Sequence, residues 1–242
     1  MAELVKTKSF KKLIDDYILE FSLEIPTGPV DACKKALHSI KEKKKDKFLN
    51  DILQDLIKID ASDLLAEKSI ERLYKSLQVI AKVTTEEKIN RFKKLTINGI
   101  IYQNETTENE YELYLNILDS ITEYEFIILS ILNDFYPTIL ITGRKDESCG
   151  FLDEINYSNY KKIINEFKTK KVQVNILEKE LIDILKEATK LKSDEISDYK
   201  RLLNSKGLVE LDIVFGGDYY KFKSISTIGQ KFMEFINREG IE

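Results

Sequence analysis

Residues 193–236 read SDEISDYKRLLNSKGLVELDIVFGGDYYKFKSISTIGQKFMEFI, and the pattern of this stretch decides the fold. Its first fifteen residues predict a helix with Asp194 and Glu195 in the opening turn and Gly207 as the stop. The segment 208–215 alternates apolar and polar residues as a strand does, Gly216-Gly217-Asp218 supplies a turn, and 219–223 returns as a second strand. Residues 227–236 then place Ile228, Phe232, Met233, Phe235 and Ile236 at helical spacing, which predicts a closing amphipathic helix.

The order helix, hairpin, helix resembles the second half of a winged-helix domain, the commonest bacterial frame for reading DNA. The resemblance implies a fold and leaves the chemistry open. In such a domain the helix before the hairpin enters the major groove and the wing touches the neighbouring backbone. The matching DNA-contact candidates are Ser193, Ser197, Lys200, Arg201 and Asn204 on the helix, with Lys221 and Lys223 near the wing. Asp194, Glu195 and Asp198 share that helix and Asp218 sits at the wing tip, so carboxylates would face phosphate.

Charge points the same way. The formal net charge is −4. Residues 1–100 hold 20 Lys and Arg against 16 Asp and Glu, or +4, and residues 101–242 hold 18 against 26, or −8. Domains that wrap a phosphate backbone are normally basic. Here the winged-helix-like half is the acidic one.

Outward from this module the chain is helical. With 242 residues, 43% hydrophobic and 33% charged, it has enough material for one large domain or two small ones with a solvated surface. Only 3 prolines and 9 glycines suit long helices with few irregular loops. Phe10, Leu13, Ile14, Tyr17, Ile18 and Phe21 follow helical spacing, and IPTGP at 25–29 breaks the pattern. A helix then starts near Pro29 and runs into KEKKKDK at 41–47, whose five lysines are interrupted by Glu42 and Asp46. That mixture favours a solvated helix face over a patch for nucleic acid or anionic lipid.

Phe48, Leu49, Ile52, Leu53, Leu56 and Ile57 form an apolar stripe, and another helix is expected over 67–83. TTEEK at 84–88 opens a helix carrying Phe92 and Leu95. The polar stretch QNETTENE at 103–110 is the expected hinge, which gives an N-terminal helical bundle over 1–102 and a winged-helix-like module over 111–242. Beyond it, helices are expected at 111–120 and 123–135, and Thr122 with Glu125 has the spacing of a capping box. TILIT at 138–142 predicts a short strand pairing with the wing, 143–150 a loop, and 159–170 and 176–189 two further helices. The expected fold class is therefore mainly α, an N-terminal helical bundle followed by a winged-helix-like module with a small β-hairpin.

The N-terminal order also resembles a group of uncharacterised bacterial proteins found among mobile-element or phage-related genes. The residues that carry this are IPTGPV at 25–30, the basic stretch after it, KFL at 47–49, LDSITEYE at 118–125, KGL at 206–208 and TIG at 227–229. The group has no assigned activity, so the resemblance implies an architecture and a setting.

Catalytic chemistry finds little footing. His38, the only histidine, lies within a helical pattern beside the lysine run, where a surface or boundary residue is the ordinary case. Ser148 or Cys149 would need that distant imidazole as base, and a Cys149 thiolate would need Arg144 or Lys145 beside it. Asp146, Glu147, Asp153 and Glu154 lack the spacing of a calcium loop, and no phosphate-cradling glycine motif occurs. Cys33 and Cys149 make neither a metal pattern nor a disulfide framework. No enzymatic activity, cofactor or metal is expected.

The longest apolar run, 126–132, falls far short of the ~20 residues that span a bilayer, so integral membrane insertion is not expected. With no secretory h-region at the polar N-terminus, a cytoplasmic location is the expectation. Peripheral attachment through the lysine run beside an apolar helix face ranks below packing in the bundle. Two functions remain: a non-enzymatic interaction or adaptor protein tied to phage–host conflict or a mobile element, with a protein partner or a second copy, and a DNA-binding transcriptional regulator on double-stranded DNA. An adaptor should expose an acidic or apolar surface around Lys200, Arg201, Lys221 and Lys223; a regulator should expose a continuous positive one.

Overall fold

The computed structural model describes residues 29–58, 66–136, 139–142, 155–170, 174–213 and 220–238. The predicted helix at 10–21, most of the IPTGP break, the 143–150 loop with its serine, cysteine and carboxylates, and the wing tip lie outside them. The chain divides into two compact units, Met1–Asp119 with Ile236–Glu242, and Ser120–Phe235.

The first unit is a helical bundle. Helices α1 (Pro29–Lys58), α2 (Glu67–Ile80) and α3 (Glu86–Ile101) pack on one another, and α4 (Glu108–Ser120) follows. The predicted stripe is the core: Phe48, Leu49, Ile52, Leu53 and Leu56 of α1 are buried together with Leu73, Leu77 and Ile80 of α2 and Phe92 and Leu95 of α3. Each such side chain contributes roughly 1.5–3 kcal/mol on leaving water. The lysine run lies on α1, where Lys45 pairs with Glu42 at 2.9 Å and the Lys44 ammonium donates to the Val83 carbonyl at 3.1 Å. Lys93 of α3 reaches Asp55 of α1 at 2.7 Å.

The polar stretch at 103–110 is a packed corner, and the two units divide beyond it, between Asp119 and Ser120. Gln103 and Thr106 are buried, and the Arg72 guanidinium donates to the Thr106 carbonyl at 2.6 Å. Thr107 and Glu110 then cap α4 reciprocally: the Thr107 N–H donates to the Glu110 carboxylate at 3.0 Å and the Glu110 N–H to the Thr107 hydroxyl at 3.2 Å. Within this stretch Asn104, Glu105, Thr107 and Asn109 remain exposed.

In the second unit α5 (Glu123–Phe135) leads to β1 (Ile139–Thr142), α6 (Tyr160–Lys170), β2 (Val174–Leu177), α7 (Glu178–Thr189), α8 (Ser193–Ser205), β3 (Val209–Ile213), β4 (Tyr220–Ile225) and α9 (Thr227–Asn237), which belongs to this unit as far as Phe235. Strands β3 and β4 pair antiparallel, with a register shift between Glu210 and Leu211. The expected hairpin and the helices flanking it are thus in place, and the fold is mainly α with a small β-hairpin. The capping box also forms as the spacing required: the Thr122 N–H donates to Glu125 Oε2 at 2.7 Å and the Glu125 N–H to the Thr122 hydroxyl at 3.3 Å.

Two expectations change. The predicted strand near 138–142 ladders with β2, in parallel, with Ile139 opposite Val174 and Thr142 opposite Leu177. It lies beside β4 without a ladder to it. Ile176 and Leu177 consequently leave the predicted 176–189 helix for a strand, and α7 begins at Glu178. A parallel partner needs a crossover connection, and α6 lies in it. The pairing is set by residues some thirty-five positions apart, which local periodicity does not report.

Two glycines fix the corner between α8 and α9. Gly207 takes the left-handed conformation at φ +70°, and its N–H donates to the Asn204 carbonyl while that of Leu208 reaches back to Leu203. At the other side, the Ser226 N–H donates to the Leu208 carbonyl, and the Ser226 hydroxyl accepts from the Gly229 N–H at 3.0 Å. A β-carbon on Gly229 would run into that Leu208 carbonyl, so only glycine fits the turn.

Candidate functional site

Helix α8 precedes the β3–β4 hairpin, and its buried face is Ile196, Lys200 and Leu203. The i, i+4, i+7 spacing of these three turns Lys200 into the module. Its side chain is only 1% exposed, and its ammonium lies 2.6 Å from the Glu178 carboxylate on α7 and 4.7 Å from the centre of the Phe222 ring on β4. Glu178 also accepts the Phe222 N–H at 3.3 Å. Lys200 is thus a brace joining α7, α8 and the wing strand, and its charge is spent inside the fold.

The other predicted contacts scatter. Ser193 and Asn204 are exposed, and Ser197 is half-buried with its hydroxyl donating to the Ser193 carbonyl at 3.0 Å. Arg201 is exposed, 3.9 Å from Asp198. Lys223 is exposed and lies 3.5 Å from Glu210 across the hairpin. Lys221 stands opposite Asp212 in the ladder, and its side chain lies outside the described residues. Asp194, Glu195 and Asp198 are all exposed. The solvent face of α8 therefore carries three carboxylates to one guanidinium.

An aromatic and aliphatic cluster sits at the edge of that face. Tyr124, at the start of α5, meets Tyr199 of α8 with ring centroids 5.6 Å apart. Tyr124 is 39% exposed, and Leu202, one turn on from Tyr199, is 45% exposed. Desolvation, then neighbouring Tyr124, Glu125 and Glu195, pushes the Tyr199 hydroxyl above its ordinary pKa. Lys206 locks the two helices here: its ammonium lies 2.5 Å from the buried Glu125 carboxylate and 2.9 Å from the Ser120 carbonyl. The spacing of Ile196 and Leu203 around Lys200 was a signal in the sequence for its burial. Nothing local in the sequence links Tyr124 to Tyr199.

Two other polar clusters are structural in build. In the first unit Arg72 is fully buried and donates to the Gly99 carbonyl at 2.5 Å, to Thr106 and to Glu108 at 2.7 Å. Tyr111 lies beneath it with the guanidinium 5.0 Å from the ring centre, and its hydroxyl is 2.7 Å from that of Ser76. Burial pushes the Tyr111 phenol up. In the second unit Tyr160 lies 3.3 Å from the Asp134 carboxylate and stacks on exposed Tyr157; burial and the Asp134 charge push its phenol up.

The side chains of His38 and Cys33 fall outside the described residues, as do Arg144, Lys145, Asp146, Glu147, Ser148, Cys149, Asp153 and Glu154. Among the described residues no three His, Cys, Asp or Glu side chains converge in a metal-holding group, and no helix is long and apolar enough to cross a membrane. Family models, curated proteins and solved structures yield no match to this chain.

Proposed function

We propose that this chain is a cytoplasmic, non-enzymatic interaction or adaptor protein whose winged-helix-like module docks protein rather than DNA. The burial of Lys200 is the observation that carries this reading. A groove-reading helix needs its cations on the solvent face, and here the central one neutralises Glu178 inside the fold while Asp194, Glu195 and Asp198 face water. The resemblance of the N-terminal order to mobile-element and phage-related proteins supports phage–host conflict or a mobile element as the setting, with a protein partner or a second copy as the ligand.

Titration of the purified protein into a fluorescent mixed-sequence duplex, from low to physiological salt, tests it. The expected outcome is no measurable binding at physiological salt and no change in an Arg201→Ala/Lys223→Ala variant. Affinity that falls steeply with salt and is lost in that variant would replace the adaptor with a DNA-binding regulator.

A further inference from the structure

We infer that the ridge formed by Tyr124, Tyr199 and Leu202 is the docking site for a cationic protein segment with an apolar anchor; this rests on the adaptor reading and adds the chemistry of the partner. Three features of the surface converge on that occupant. The first is apolar area left in water: Tyr124 and Leu202 are both large and exposed, and the Tyr124–Tyr199 ring pair extends the area between them. Residues three and four apart on a helix are neighbours, so Glu195, Tyr199 and Leu202 form one continuous strip of α8.

The second feature is charge. Asp198 precedes Leu202 by one turn, Glu195 precedes Tyr199 by one turn, and Asp194 lies a turn before Asp198, all exposed. Arg201 approaches Asp198 at 3.9 Å, and the Asp198 side chain stays 74% exposed. A partner bearing Lys or Arg finds three exposed carboxylates here, Asp194, Glu195 and Asp198, against the single exposed guanidinium of Arg201, and an acidic partner or a phosphate backbone is repelled. The third is ring chemistry: tyrosine faces attract ammonium and guanidinium groups, so the two rings serve the same occupant as the carboxylates.

The ridge is also built on a rigid base. Lys206 pins the C-terminal end of α8 to the α5 N-terminus through Glu125 and the Ser120 carbonyl, and the Thr122–Glu125 capping box fixes the turn that presents Tyr124. Little ordering remains to be done when a partner arrives, which favours binding.

The test is selection of the full-length protein against a random 16-residue peptide library displayed on phage, followed by affinity measurement of enriched peptides on the parent, Leu202→Asp and Asp198→Lys proteins. Both substitutions fall on exposed positions, and unchanged thermal unfolding would show that the fold is kept. Enrichment of peptides combining Lys or Arg with an apolar anchor, weakened about tenfold or more by either substitution, supports the inference. Neutral or acidic peptides that depend on the same two residues would overturn the cationic chemistry and leave the docking face standing. Peptides indifferent to both substitutions, or no enrichment at all, would overturn the ridge as a docking site, and the duplex titration then decides separately whether the module reads DNA.

Discussion

Lys200 shows how one side chain changes the meaning of a helix. An ammonium that leaves water must find a carboxylate, and Glu178 at 2.6 Å does so while also accepting the Phe222 N–H. Replacing Lys200 by Ala strands the Glu178 charge, and stability should fall by about 3 kcal/mol, the scale of a broken buried pair. A Lys200→Met/Glu178→Gln double variant should recover most of the loss in urea unfolding. Tyr111 gives a pH signature. Its folded pKa is raised by burial, so the folded phenol keeps its proton while unfolded tyrosines lose theirs near pH 10. Stability should hold below about pH 10 and decline above it, and Tyr111→Phe should make that alkaline decline shallower in thermal melts at stepped pH.

At the scale of the element, local rules and tertiary constraints divide cleanly. Capping boxes, glycine stops and apolar stripes act within a turn or two, and α2, α3, α5 and α8 begin close to where their signals lie. The same Thr-x-x-Glu spacing occurs at Thr107–Glu110, and it turns an apparent linker into the start of α4. Lys190, between α7 and α8, holds the left-handed conformation at φ 62° without being glycine. It is exposed, so Lys190→Gly relieves backbone strain without losing packing, and unfolding free energy should rise by about 0.5–1 kcal/mol. A fall instead would mean that the Lys190 side chain contributes more than its backbone costs.

For the whole molecule, charge is the property on which the proposed choice of partner rests. The −8 of residues 101–242 was visible in the composition, and the exposed carboxylates of α8 place part of it on the surface where a winged helix would meet DNA. Reversing two of them should therefore create what the native face lacks. An Asp194→Lys/Asp198→Lys variant is expected to bind the mixed-sequence duplex with affinity that drops steeply as salt rises, while the parent stays silent in the same assay. Silence in both would mean that geometry, rather than charge, keeps α8 from the groove.

The sequence by itself determined the mainly helical class, the hairpin after α8, the capped start of α5 and the apolar stripe of the bundle, because each depends on neighbours within one or two turns. It also marked α8 and the wing as the surface to examine. Only the tertiary structure decided the rest. The parallel β1–β2 pairing, the corner sealed by Arg72 and the division at Asp119/Ser120 join residues far apart in the chain. The inward turn of Lys200 and the meeting of Tyr124 with Tyr199 depend on which face of α8 the module buries. A helical pattern says that a face exists; packing against α5, α7 and β4 says which residues remain in water.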